Sequence, residues 1–144
     1  MPTKKKRIFL YVGVVIAVLV GVRFAAAFAW PAINDVKTGE TPEYPDLRSQ
    51  RFDQPHERVF AAALAAARTM EWEVTAQSKE QGEIRAVATT PVFRFKDDVT
   101  LSVSRDASGT KVDMRSHSRI GKGDLGANAR RIREFQAELA RQLR

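Results

Sequence analysis

No cysteine occurs in the 144-residue chain, which excludes disulfide bonds, thiolate metal sites, thiol nucleophiles and a lipid anchor on cysteine. Only two histidines are present, His56 and His117, and neither lies in an HExxH or HxH spacing. The composition therefore predicts no metal site and no cofactor. A recognisable nucleophile motif is missing as well, so we assign no catalytic residue and favour a non-enzymatic role.

Acidic side chains are absent from the first thirty residues, which hold five basic ones. The remaining residues hold 19 basic and 17 acidic side chains, so most of the net charge of +7 lies outside the globular part. This distribution argues against a nucleic-acid partner. Residues 111–144, with nine basic and four acidic side chains, are the one region that offers a basic surface to an anion.

The N-terminal segment combines basic residues 4–7 with an apolar run over residues 8–22. Residues 24–30 would lengthen this run into a single membrane pass if Arg23 extended its charge toward the headgroups. We therefore predict a membrane anchor in residues 1–30. The alternative is a cleaved secretory signal peptide. Both interpretations place the rest of the chain in the periplasm or at the cell exterior.

After this segment, residues 31–52 contain three prolines and no periodicity, which predicts an extended linker. Residues 53–144 then form the predicted globular domain. Its patterns predict a helix, four strands joined by short turns, and a helix, at residues 53–70, 72–78, 83–90, 98–104, 111–119 and 124–143. The predicted fold class is α+β: a four-stranded antiparallel meander with both helices on one face, in the order α-β-β-β-β-α.

Three glycines, Gly121, Gly123 and Gly126, match the G-x-G-x-x-G pattern of nucleotide-binding loops. That function requires a second parallel strand after the following helix, and none is predicted. Asp124 is also placed to cap the last helix through the amides of Gly126 or Ala127, where its carboxylate would repel a phosphate. The pattern therefore favours a flexible corner between a strand and a helix.

Asp97 and Asp98 are adjacent on a predicted strand, so their side chains point to opposite faces of the sheet. Asp98 faces outward, opposite Arg119 or His117 depending on the length of the turn. Together with Arg115, these three residues form a candidate strip for binding an anion or another ligand. The alternative is an ordinary solvated cross-strand ion pair.

A second polar cluster is predicted on the inner side of the last strand and helix. Asp124, Asn128 and Arg131 are spaced i, i+4 and i+7 and form a stripe beside the apolar face of the helix. Asp97 points toward the same layer. We therefore predict a half-buried link between Arg131 and Asp97 that fixes how the helix docks.

Three segments carry a resemblance to a known family: "INDVKTGETPEYPDL", "FRFKDDVTLSV" and "VDMRSHSRIGKGDLGANARRIREF". Together they resemble the bacterial family named domain of unknown function 1499, over roughly residues 33 to 142. The most specific part is "RSHSRIGKGDLGANARRI". The family pattern is carried by Asp97, Asp98, Arg115, Ser116, Ser118, Arg119, Gly121, Asp124, Gly126, Asn128, Arg131 and Ile132. The resemblance implies a small extracytoplasmic or membrane-attached domain and no particular reaction.

These observations predict a membrane-anchored, extracytoplasmic binding or accessory domain at the bacterial inner membrane. Its expected partners are the membrane, through a single N-terminal pass, and an anionic envelope ligand or another membrane protein. One alternative is an envelope hydrolase or transferase that uses His117 and the neighbouring arginines. Another is a structural scaffold for a membrane protein.

Overall fold

The computed structural model describes residues 4–144, without the side chains of residues 4–6, 23, 24 and 26–29. Nine elements follow one another along this part of the chain. They are α1 (Lys4–Ala29), β1 (Asp35–Lys37), β2 (Gln50–Phe52), α2 (His56–Thr69), β3 (Glu73–Ser78), β4 (Glu83–Thr89), β5 (Lys96–Asp106), β6 (Gly109–Ser118) and α3 (Ala127–Gln142).

Over residues 4–144 the fold is α+β with one antiparallel sheet, but the sheet has six strands and not the predicted four. The order across the sheet is β1-β6-β5-β4-β3, and β2 also pairs with β6. The two additional strands come from residues 31–52, in which we expected an extended linker. Each has three residues, too few to show an alternating pattern, so their pairing is determined by contacts distant in sequence.

Hydrogen bonds to Asp113 attach the early segment, residues 31–52, to β6. Its carboxylate accepts a hydrogen bond from Thr38 Oγ1 at 3.1 Å and another from the Ser49 hydroxyl. Thr38 Oγ1 in turn accepts the Met114 N–H at 3.0 Å. Burial, the largest influence, raises the pKa of the Asp113 carboxyl, but hydrogen bonds from Ser49, Lys111 and Thr38 together hold that pKa below its ordinary value. The segment is thus bonded to the domain at several points.

The core lies between one face of the sheet and the two helices α2 and α3, as two-layer packing requires. Along β5, alternate residues Val99, Leu101 and Val103 point into this core. From α3, the apolar stripe that includes Ile132 and Phe135 packs over them. The same alternation that buries Val99 also buries Asp97 on the inner face and leaves Asp98 on the outer one.

The membrane anchor predicted for residues 1–30 is the second expectation that the structure contradicts. Within the described part of the chain, no helix combines the length and the apolar character that a membrane crossing needs, so the predicted single-pass anchor is wrong. The physical reason is length: the apolar run over residues 8–22 rises about 22 Å as a helix, short of a hydrocarbon core of roughly 30 Å. The predicted extension of this run to residue 30 depended on the position of the Arg23 side chain. That side chain and residues 1–3 lie outside the part of the chain that the structure describes.

Candidate functional site

The predicted ligand strip lies on the outer face of β5 and β6. The register pairs Asp98 with His117 and Thr100 with Arg115 across the two strands. Asp98 reaches diagonally to Arg119, which donates from Nη2 at 2.6 Å and from Nε at 3.0 Å. Backbone pairing and side-chain bonding thus give Asp98 two different basic neighbours. The four predicted residues are brought together here.

The outer strip contains one residue that sequence reasoning missed. Asp35 on β1 lies opposite His117 and accepts two hydrogen bonds from Arg115, at 2.9 Å from Nε and 2.5 Å from Nη2. The hydrogen bonds from Arg115 and Arg119 hold the pKa values of the Asp35 and Asp98 carboxyls below the ordinary 3.8. No pattern predicted Asp35, because β1 itself had no recognisable signal.

This pairing limits what the outer strip can do chemically. Arg115 and Arg119 each present their bidentate edge, Nε and Nη2, to a protein carboxylate. An anion would have to displace that carboxylate to gain the same two bonds. His117 lies in register between Asp35 and Asp98, and its ring makes no hydrogen bond to any described residue. Ligand binding at the outer strip stays a prediction.

The inner face of the same strands carries a buried polar cluster around Arg131. Its Nη2 donates to Asp97 Oδ2 at 2.6 Å, and its Nη1 donates to Ser116 Oγ at 2.9 Å and to Asn128 Oδ1 at 2.7 Å. The Asp97 side chain is 2% exposed and that of Arg131 is 11% exposed. The link that the sequence analysis placed between Arg131 and Asp97 is present, and it joins α3 to β5.

Asn128 is the centre of this inner cluster and is fully buried. Its Nδ2 donates to Ser118 Oγ at 2.8 Å and to the Asn34 carbonyl at 3.1 Å. Its Oδ1 accepts from Ser116 Oγ at 2.6 Å as well as from Arg131. Both donors and both acceptor positions of the amide are therefore used. Asn128 ties α3 to β6 and to the residue preceding β1.

In the glycine-rich corner, residues 119–126, the carboxylate of Asp124 accepts hydrogen bonds from the backbone at the start of α3. Asp124 Oδ1 accepts the Gly126 N–H at 2.8 Å, and Oδ2 accepts the Asn128 N–H at 2.8 Å. These are the amides at the start of α3 that a phosphate would use. Of the two partners predicted for this cap, Gly126 is one, and Asn128 takes the place of Ala127.

The glycines of this corner accommodate the chain that follows α1. Gly126 has a φ of +75°, and a Cβ there would collide with the indole of Trp30. A Cβ at Gly123 would lie 3.4 Å from the Cα of Ala32. The G-x-G-x-x-G spacing is therefore used for a left-handed turn and for close approach of the chain.

A cavity of about 900 Å³ opens between α3, the end of α2 and the β4–β5 hairpin; we call it the α3 cavity. Arg94 from the hairpin and Arg130 and Arg131 from the first turns of α3 line it. Three carboxylates line it as well: Glu71 after α2, and Glu134 and Glu138 one and two turns further along α3. No sequence motif indicated this cavity, because its walls come from three separate segments.

Comparisons with known proteins add a family but no activity. Protein CV1439 from Chromobacterium violaceum is 10% identical, with a TM-score of 0.42 over 76% of this chain and 97% of its own. TTHA0849 from Thermus thermophilus is 14% identical, with a TM-score of 0.41 over 76% of this chain and 96% of its own. The comparison with curated proteins gives no match. A family described as "Protein of unknown function (DUF1499)" matches residues 27–139, so the chain belongs to the DUF1499 family.

Proposed function

We propose that this protein is a non-enzymatic binding domain and that the α3 cavity takes a small molecule with one acidic group. The observation that carries the proposal is that Arg94, Arg130 and Arg131 all line one cavity of about 900 Å³. Ligand sites are typically concave and contain a few polar groups that fix the ligand's orientation. Guanidinium groups recognise carboxylates and phosphates through paired hydrogen bonds.

Arg131 is the most rigid of the three arginines. Its Nη1 and Nη2 are fixed by bonds to Ser116, Asn128 and Asp97, while its Nε makes no hydrogen bond to a described residue. A guanidinium has five N–H donors, so donors are left for a ligand. Because the side chain is already immobilised, binding would cost little further conformational entropy.

Arg94 and Arg130 provide exposed positive charge beside Arg131. In the described part of the chain, neither forms an ion pair; Arg130 donates instead to the Leu125 carbonyl at 2.9 Å. The carboxylates of Glu71 and Glu134, which also line the cavity, would repel a polyanion, whereas the Glu138 carboxylate is paired with Arg141. This charge arrangement supports a small ligand with a single acidic group over a nucleic acid or another long polyanion.

The test is an NMR titration of the full chain with acetate and, separately, inorganic phosphate, monitoring arginine Nε–H resonances. We expect saturable shifts at Arg131 and none at Arg119, whose Nε–H already bonds Asp98. Arg130→Gln should weaken the affinity that the Arg131 shifts report. Arg133→Gln is the matched control, because that exposed α3 arginine pairs with Asp46. No saturable shift at Arg131, or a saturable shift at Arg119 alone, would overturn the proposal.

Location outside the cytoplasm is part of the same proposal. Basic residues 4–7, the apolar run 8–22 and the small residues before Trp30 are the features of a cleaved secretory signal. Alkaline phosphatase folds to its active form only after export, so a fusion after Arg144 should be active in cells. An inactive but intact fusion would contradict export.

A further inference from the structure

One end of the domain exposes large apolar side chains from three separate segments; we call it the apolar end. Val92 and Phe93 at the tip of the β4–β5 hairpin are 80% and 73% exposed, and the neighbouring Phe95 is also exposed. Its remaining members lie in the glycine-rich corner and just after α1: Ile120, Leu125 and Trp30. Scattered apolar residues are common on protein surfaces, whereas a cluster of this kind indicates a contact surface.

Backbone contacts place these segments side by side. The Arg119 N–H donates to the Lys96 carbonyl at 3.3 Å, which joins the corner to the base of the hairpin tip. Arg94 of the tip and Ala127, two residues after Leu125, line the same cavity. Trp30 packs against Gly126. The apolar side chains therefore belong to one continuous end of the molecule.

Three backbone N–H groups of the hairpin tip are hydrogen-bonded within the tip. The Thr90 N–H donates to the Phe95 carbonyl at 2.9 Å, and the Arg94 N–H donates to the Thr90 carbonyl at 3.2 Å. The Phe95 N–H donates to Thr90 Oγ1 at 2.9 Å. Bonds of this kind matter for insertion into an apolar medium, because an unpaired N–H or C=O there costs several kcal/mol. The N–H groups of Thr90, Arg94 and Phe95 therefore stay paired if the tip leaves water.

Three basic residues lie in or next to the segments that form the apolar end. Arg94 is next to Phe93, Lys122 lies between Ile120 and Leu125 in the corner, and Arg130 is one turn into α3. Among the described residues, none of these three cations forms an ion pair with a carboxylate. Exposed aromatic side chains next to basic residues without ion-pair partners among the described residues match the interface of a membrane that carries anionic headgroups.

We propose that the apolar end inserts its hairpin tip into the surface of an anionic lipid bilayer. Val92 and Phe93 would enter the headgroup–acyl boundary while Lys122 contacts headgroup phosphates. This contact is separate from the ligand proposed for the α3 cavity, because neither Phe93 nor Lys122 lines that cavity.

The absence of cysteine makes a site-specific test direct. Val92→Cys in the full chain, labelled with a polarity-sensitive fluorophore, is mixed with vesicles of phosphatidylglycerol or of phosphatidylcholine. We expect a blue shift with phosphatidylglycerol. Ala107→Cys, in the β5–β6 turn at the other end of the sheet, is the control and should not shift.

Lys122→Gln should weaken the affinity for phosphatidylglycerol vesicles, measured by the Val92 blue shift, about fivefold, which is the effect of one surface charge. Lys79→Gln, in the β3–β4 turn, should leave that affinity unchanged. Adding Phe93→Ser and Phe95→Ser to the labelled chain should abolish the response. The proposal is overturned if the Val92 probe stays in water, including when the chain binds vesicles through another part. An equal response to both lipids would overturn the role of the cations.

Discussion

Two arginine–aspartate pairs lie on opposite faces of the same two strands, and they differ in almost every physical respect. Asp97 and Asp98 are neighbours in sequence, yet one faces α3 and the other faces solvent. In the inner pair, Arg131 has an 11% exposed side chain and bonds to two further residues. In the outer pair, Arg119 is 47% exposed and bonds to Asp98 alone among side chains of described residues.

The two pairs show that geometry alone does not determine how much an ion pair contributes to stability. Both pairs have an Nη2-to-oxygen distance of 2.6 Å. Water screens the outer pair, whereas breaking the inner one would leave a charge in a poorly solvated interior. We therefore expect the inner pair to determine how α3 docks. The outer pair should influence local protonation with little effect on folding.

The largest effect is expected from Arg131→Ala. This substitution leaves the buried Asp97 carboxylate without its partner and should cost about 3–5 kcal/mol of unfolding free energy, measured by urea denaturation. Arg133→Ala on the exposed side of the same helix is the control and should change stability little. An Arg131→Ala midpoint equal to that of the wild type would show that the inner link does not hold α3 in place.

Asn128→Ala should come next. Because the Asn128 amide makes hydrogen bonds to Ser116, Ser118 and Arg131, its removal leaves buried polar groups without partners. We expect a loss of about 2 kcal/mol, together with faster amide exchange at Ser118, whose N–H bonds the Asn34 carbonyl. An unchanged amide exchange rate at Ser118 would argue against Asn128 as the link between α3 and the early segment.

Asp124→Ala removes the cap at the start of α3 and should cost about 1 kcal/mol in thermal unfolding. Asp124→Asn is the matched comparison and should lose less, because the asparagine side chain keeps one acceptor oxygen where the carboxylate uses two. If the asparagine variant lost as much as the alanine variant, hydrogen bonding to the amides of Gly126 and Asn128 would not account for the contribution of Asp124.

The smallest effect on folding is expected on the outer face. Arg119 lowers the pKa of Asp98, so the stabilisation from this pair is present above pH 3.8 and is lost as the pH falls through the lower folded-state pKa. Arg119→Ala should raise the Asp98 titration midpoint toward 3.8, as followed by carboxyl carbon NMR. At pH 7 its urea midpoint should stay close to the wild-type value.

The residues that could be predicted from sequence are those that follow a strand or helix period. The alternation in β5 separated Asp97 from Asp98, and the spacing of Asn128 and Arg131 placed them on one side of α3. Strands β1 and β2 were missed because their pairing depends on Asp113 and on the backbone of β6, both distant in sequence. Periodicity likewise gave no indication of the α3 cavity, which three separate segments enclose.

The most direct test of the difference between the two faces is a pair of double-mutant cycles in urea. One cycle combines Arg131→Ala with Asp97→Ala, and the other combines Arg119→Ala with Asp98→Ala. We predict a coupling of about 2–3 kcal/mol for the inner pair, with Asp97→Ala partly restoring the stability lost in Arg131→Ala. For the outer pair we predict additive effects. Additive effects in the inner cycle, or equal coupling in both, would contradict the structural role assigned to the inner pair.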